Sequence, residues 1–94
     1  MIVQRFSPMG QLQVRRALCV ANRESHFDPN AENPYTHAAG VYQFMPKVWP
    51  PLSQAAGWGG HSPFEAQANV GTAAWVVAHY GWSPWSGDSK ACGL

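Results

Sequence analysis

One helical pattern constrains the fold of this chain more than any other feature. Residues 11–26 are rich in apolar residues and alanine, and Ala17 and Val20 share a helix face with Glu24, which follows them by seven and four positions. Pro29 disfavours helical geometry just before it, so the helix is expected to end by about residue 26. The pattern therefore predicts a rigid helix whose last turn carries one carboxylate beside a loop.

The carboxylate of Glu24 stands at the tip of an apolar stripe, which is an unusual place for a charge. Partial burial would favour its neutral form and raise its pKa. A carboxyl group that stays protonated near neutral pH can donate a proton to a leaving oxygen. The alternative is a glutamate at a helix end that simply reaches water, without a chemical role.

Four short segments in a fixed order point to a family. Residues 24–31 read ESHFDPNA, and residues 39–46 read AGVYQFMP. Residues 68–75 read ANVGTAAW, and residues 78–81 read AHYG. Together they resemble the motifs of the lytic transglycosylases and goose-type lysozymes, in which a catalytic glutamate is followed by serine, an aromatic residue, proline and alanine. The resemblance covers about residues 17–82.

The resemblance implies a mainly α fold: one small lysozyme-like domain over residues 1–94, with long loops around a groove. It implies cleavage of the β-1,4 bond between N-acetylmuramic acid and N-acetylglucosamine in peptidoglycan glycan strands. Glu24 would act as acid and then as base, and the acetamido group of the substrate would support the developing positive charge. Such a site needs no cofactor and no metal. Residues 1–10 are expected to be a loop-like lead-in and residues 81–94 a loop tail.

The same resemblance implies roles in substrate binding. Gln43 would hydrogen-bond acetamido or hydroxyl groups of a sugar, and Tyr80 would hydrogen-bond near the acid. Tyr42 replaces a methionine of the family turn and is expected to stack on a sugar face. Trp82 is a further candidate for the groove, with packing in the core as the alternative. Ser25 would bind substrate, hold the loop beside Glu24, or cap local backbone.

A second catalytic carboxylate is hard to find in the sequence, although most glycosidases use two. The chain has four other acidic residues: Asp28, Glu32, Glu65 and Asp88. Asp28 or Glu32 would have to hold a water opposite Glu24 if the enzyme were a hydrolytic lysozyme on the same bond. Glu65 is assigned to a helix cap and Asp88 to the tail. A non-catalytic glycan-binding module and an enzyme acting on chitin oligomers are the remaining alternatives.

Charge and hydropathy exclude other functions. The net charge is +1, which gives no basic field for nucleic acid or an anionic membrane, and no apolar stretch approaches the length of a bilayer span. The histidines, His26, His37, His61 and His79, show no metal-ligand spacing. We therefore expect a monomer without a metal.

Two cysteines, Cys19 and Cys92, would close a loop of more than seventy residues if paired. Two free thiols are the alternative. We expect the disulfide because the other features point to an extracytoplasmic enzyme. Residues 1–13 hold no apolar run long enough for a signal peptide, so export is expected through a removed signal, a phage particle or a larger secreted chain.

Proline and glycine predict the remaining elements. Ser7 and Pro8 are expected to start the first helix, and the prolines at 50 and 51 to split the next helical segment into residues 46–49 and 51–56. A capping box of Ser62 and Glu65 predicts a helix to about residue 80. Within it, Gly71 is expected to admit another helix, and Asn69 to hydrogen-bond nearby backbone.

Overall fold

Five α-helices joined by turns and loops form the chain, and a computed structural model describes residues 1–94. The helices are α1 (Ile2–Phe6), α2 (Gln11–Ser25), α3 (Trp49–Ala55), α4 (Ala66–Tyr80) and α5 (Ser89–Cys92). Two 3-10 segments, Ser7–Met9 and Ser83–Asp88, precede α2 and α5. Extended pairing is limited to two isolated bridges, Glu32 with Ala39 and Ala39 with Phe44. The predicted mainly α fold is confirmed. No helix is both long and apolar enough to cross a membrane.

Helix α4 is the buried centre of the molecule. Residues 68–74 are all buried, so every face of the helix is covered there. Most of these side chains are small and apolar, and a helix that is apolar all round is stable only when other elements surround it. Helix α2 contributes Ala17, Val20 and Ala21 to the same cluster of 16 buried residues.

Helix α2 ends as the sequence predicts. Its last residue is Ser25, and His26 caps it in the left-handed conformation with φ 53°. The His26 N–H still donates to the Asn22 carbonyl oxygen at 2.9 Å, which closes the final turn. Glu24 therefore stands in the last turn, and the chain turns away immediately after it.

The N-terminal segment is not a loop, so that prediction is wrong. Residues 2–6 form α1 and residues 7–9 form a 3-10 turn, while α2 begins only at Gln11, after Gly10. Helices this short are unstable alone and depend on tertiary packing. The packing here comes from Phe6, which is fully buried and stacks on Trp82 with ring centroids 5.7 Å apart.

The prolines at 50 and 51 do not divide a helix, so the predicted two-piece segment is wrong. Both lie in the first turn of α3 (Trp49–Ala55). The first N–H groups of a helix have no partner within it, and proline therefore costs nothing there. Trp49 anchors this end because its Nε1 donates to the His61 carbonyl oxygen at 2.9 Å.

The start of α4 and its glycine differ in detail from the prediction. The helix begins at Ala66, four residues after Ser62, with Glu65 as its cap. The Ser62 N–H donates to Glu65 Oε2 at 2.6 Å, so the structural role of Glu65 is confirmed. Gly71 faces the Trp58 ring and not a helix, and a Cβ at this position would lie 2.4 Å from Trp58 Nε1.

The tail is helical and not a loop. The 3-10 segment Ser83–Asp88 leads into α5, and a disulfide joins Cys92 to Cys19 with their Cα atoms 5.7 Å apart. The predicted disulfide is confirmed. It fixes the end of the chain against α2, which also carries Glu24.

Candidate active site

A tight turn, residues 39–45, faces the end of α2 and is held by one side chain of α4. Asn69 is fully buried, and its Oδ1 accepts from the Tyr42 N–H at 2.8 Å. Its Nδ2 donates to the carbonyl oxygens of Ala39 at 3.2 Å and Pro63 at 2.9 Å. Gly40 has φ +82°, and a Cβ there would overlap the Asn69 amide. The predicted backbone role of Asn69 is confirmed.

Gln43 lies in this turn in a left-handed conformation, with φ 54°. Its Nε2 donates to the Ala31 carbonyl oxygen at 3.0 Å and to the Gly40 carbonyl oxygen at 2.9 Å. Both amide hydrogens are therefore used, and Oε1 is left to accept from a ligand. A non-glycine residue in this conformation is strained and is often found at functional sites.

Glu24 lines a cleft of about 260 Å³ between α2, the turn, α3, α4 and the tail. The cleft is mostly apolar and is lined by Glu24, Tyr42, Gln43, Phe44, Met45, Val48, Leu52, Val76, Pro84 and Trp85. Glu24 is the only lining residue with an acidic side chain, and Gln43 is the other polar group that a sugar could meet. The cleft thus combines one acid, one amide and apolar walls.

The Glu24 carboxyl is half-buried, and its environment favours the protonated form. Burial raises the pKa of Glu24, and together with the neighbouring negative charge of Asp88 it brings the pKa to about 8. The Arg23 cation acts in the opposite direction but does not outweigh them. Glu24 therefore carries a proton at neutral pH, as an acid catalyst requires.

Asp88 is the residue beside the site that sequence reasoning missed. It is only 5% exposed, and its Oδ1 accepts from Arg23 Nε at 3.0 Å. The sequence places it in a polar tail, where a carboxylate is usually solvated. One signal could have located it: the disulfide from Cys92, four positions later, to Cys19 brings the tail to α2.

Two of the predicted sugar contacts are not available in the structure. Tyr42 has a fully buried side chain, and its hydroxyl donates to the Ala17 carbonyl oxygen at 2.8 Å, so the expected stacking on a sugar is wrong. Burial also raises the pKa of the Tyr42 phenol above its usual range. Ser25 is buried as well, and its Oγ donates to the Val41 carbonyl oxygen at 2.8 Å. It therefore ties the end of α2 to the turn.

Two aromatic residues at the end of α4 and just beyond it also fall outside the cleft. Trp82 is buried, and its Nε1 donates to Gln13 Oε1 at 2.8 Å, so it packs in the core and does not bind sugar. Tyr80 is 64% exposed and packs edge-on against Trp75, so the structure does not bring it to Glu24. The tryptophan that does line the cleft is Trp85, whose Nε1 donates to the Tyr42 carbonyl oxygen at 2.9 Å.

The other acidic side chains have partners elsewhere. Asp28 accepts from the Asn30 N–H at 2.9 Å, and Glu32 pairs with His37 Nδ1 at 2.8 Å beside a different pocket. Neither lines the Glu24 cleft, so neither holds a water opposite Glu24 in this structure. No three metal-binding side chains come together to hold a metal ion.

A larger apolar pocket of about 420 Å³ lies on another part of the surface, against residues 1–3 and the start of α4. None of its side chains can donate or accept a proton. It therefore does not compete with the Glu24 cleft as a site for proton transfer.

The fold and the cleft define a small helical protein with one half-buried carboxyl, Glu24, on a mostly apolar cleft. The model of the transglycosylase SLT domain family matches residues 2–81, and the chain belongs to that family. The family as a whole cleaves peptidoglycan. No curated protein and no solved structure matches the chain.

Proposed function

We propose that this protein is a lytic transglycosylase that cleaves the β-1,4 bond between N-acetylmuramic acid and N-acetylglucosamine, with Glu24 as its acid and base. The main support is the half-buried position of Glu24 in a cleft that raises its pKa to about 8. Membership of the family agrees with this substrate. Because peptidoglycan and a disulfide are both found outside the cytoplasm, we infer that the protein acts there.

The reaction needs one proton donor that later becomes an acceptor. The Glu24 carboxyl donates its proton to the glycosidic oxygen as the bond from that oxygen to C1 of the muramic acid breaks. The acetamido oxygen of the same sugar stabilises the positive charge on C1. The Glu24 carboxylate then takes the proton of the 6-hydroxyl while O6 bonds to C1, which forms a 1,6-anhydro ring. Glu24 ends protonated as it began, and no water is consumed.

Gln43 and the apolar walls would orient the sugar. Gln43 Oε1 accepts from an acetamido N–H or a hydroxyl, because both hydrogens of its amide are already used. Trp85 and Met45 line the cleft and would pack against apolar faces of the rings. Hydrolysis would instead need a base for a water molecule, and neither Asp28 nor Glu32 lies in the cleft.

The decisive experiment compares Glu24→Gln with Glu32→Gln on purified cell-wall sacculi. Glu24→Gln should abolish lysis while sacculi are still bound, since the amide keeps the shape but has no acidic proton. Glu32→Gln is the matched control, because Glu32 lies on another pocket, and it should lyse at the parent rate. Mass spectra of the parent's products should show anhydro-muramic ends. Reducing ends would identify a hydrolase, and full lysis by Glu24→Gln would exclude Glu24 as the acid.

A further inference from the structure

Asp88 is a buried carboxylate with an unusual shortage of partners. Its side chain is 7% exposed, and Arg23 Nε contacts only Oδ1. Its Oδ2 is buried, with no N–H or hydroxyl donor from the protein. Leaving a buried charged oxygen without a partner is costly, so such an atom needs an explanation. Asp88 acts on one neighbouring group that can carry a proton, the Glu24 carboxyl, which follows Arg23 on α2.

The tail holds Asp88 firmly at this place. Pro84 and Trp85, in the same 3-10 segment, line the cleft together with Glu24. Trp85 Nε1 donates to the Tyr42 carbonyl oxygen at 2.9 Å on one side of Asp88. The disulfide between Cys92 and Cys19 fixes the chain on the other side. Asp88 is therefore presented to α2 from a segment that is anchored at both ends.

We propose that Asp88 is a positioning residue for the acid: its Oδ2 accepts a hydrogen bond from the Glu24 carboxyl and holds that proton in the cleft until a glycosidic oxygen replaces Asp88 as the acceptor. This role rests on the proposed function of Glu24. Asp88 acts only through Glu24, because Asp88 does not line the cleft in which a sugar would lie.

The same contact serves the second half of the reaction. Once Glu24 has given up its proton, two carboxylates face each other, and their repulsion favours the return of a proton to Glu24. That makes Glu24 a stronger base toward the 6-hydroxyl. Arg23, on the same helix, and Asp88, on the tail, are the charged groups that act on Glu24. The residues that line the cleft together with Glu24 are all uncharged.

The test is a direct titration of Glu24 by carbon-13 NMR. The chain has three glutamates, so protein labelled at the glutamate carboxyl carbon gives three signals, and Glu24→Gln identifies the one from residue 24. In Asp88→Asn the Glu24 midpoint should fall by about one pH unit or more, because a charge and a strong acceptor are lost. The alkaline limb of the lysis profile should move by the same amount, with KM little changed.

Two further variants provide a control and a shift of the Glu24 midpoint in the opposite direction. Asp28→Asn makes the same change of charge on an exposed loop and should leave the Glu24 midpoint unchanged. Arg23→Gln removes the cation that opposes Asp88, and it should raise the midpoint. If Asp88→Asn does not fold, Asp88→Ser takes its place and should lower the midpoint in the same direction.

An unchanged Glu24 midpoint in Asp88→Asn, or in Asp88→Ser where that variant replaces it, overturns the role of Asp88. The titration is read without any substrate, so it does not depend on the reaction. If Glu24→Gln lyses sacculi normally, the proposed function fails even where the midpoints move as expected. If Glu24→Gln is inactive and the midpoints do not move, only the role of Asp88 fails.

Discussion

At the scale of single residues, the site places groups where they are useful at the expense of stability. Glu24 is an acid partly removed from water beside another acid, and Gln43 holds a left-handed backbone that favours glycine. Neither arrangement helps the chain to fold. Both put a proton donor and a hydrogen-bond acceptor on the same cleft.

The pH dependence of unfolding should record the position of Glu24. Its pKa rises from 4.5 to about 8 on folding, so the folded protein binds the proton more tightly than the unfolded chain. This contribution to stability is complete below pH 4.5 and is lost as the pH rises through about 8. Glu24→Gln should therefore gain Tm relative to the parent as the pH rises from 5 to 9, measured by calorimetry. An equal difference in Tm at all pH values would contradict the raised pKa.

At the scale of elements, the turn at residues 39–45 depends on α4 for its shape. Asn69 is a buried side chain that bonds three backbone groups, two of them in the turn. Gln43 and the cleft wall at Phe44 follow directly in the chain. The position of the turn that lines the cleft is thus set by an amide in the core, outside the cleft.

Replacing Asn69 by alanine should damage both stability and lysis. The loss of three buried hydrogen bonds leaves unpartnered backbone groups and should cost about 2–4 kcal/mol of unfolding free energy. Lysis per folded molecule should fall as well, because Gln43 loses its support. Gly71→Ala is the matched control on the same helix: its Cβ meets Trp58 and destabilises the fold away from the turn. If both variants lyse equally well at matched folded fractions, Asn69 has no role in shaping the cleft.

The long helices could be predicted from sequence, and the short ones could not. Helix α2 has an apolar stripe and a proline beyond its end, and the Ser62–Glu65 signal precedes α4, so local rules predict both helices although each begins later than expected. The helices α1 and α5 have five and four residues, and their stability comes from the burial of Phe6 and from the disulfide.

The residues of the candidate site could likewise be predicted from sequence only in part. The motif around Glu24 predicted a carboxyl beside a cleft, and the turn sequence predicted Gln43 in the same cleft. Tyr42 was misplaced, and Trp82 follows the alternative of packing in the core, because exposure depends on tertiary packing, which residue type does not encode. Asp88 was missed because 64 positions separate it from Glu24 in the chain, and only the fold brings the two together.

At the scale of the whole molecule, the disulfide contributes both to the stability of the fold and to the position of residues beside Glu24. The cysteines are 73 positions apart, and closing a loop of this size stabilises a protein by about 4 kcal/mol in the chain-entropy model. That is a large share of what a domain of this size can have. The segment that the bridge holds also carries Pro84, Trp85 and Asp88, which border Glu24.

Reduction of the disulfide should therefore have two effects, on stability and on lysis, that can be measured separately. The Tm should fall by roughly 15–30 °C, as expected for a loss of about 4 kcal/mol in a domain of this length. Lysis should also decline at temperatures where the reduced protein is still folded, because the released tail takes Trp85 from the cleft and Asp88 from Glu24. A Cys19→Ala, Cys92→Ala variant should match the reduced parent in calorimetry and in lysis, and reductant should not change it further. If the reduced protein is less stable but fully active while folded, the disulfide contributes only to stability. The tail would then stay beside the cleft without the disulfide.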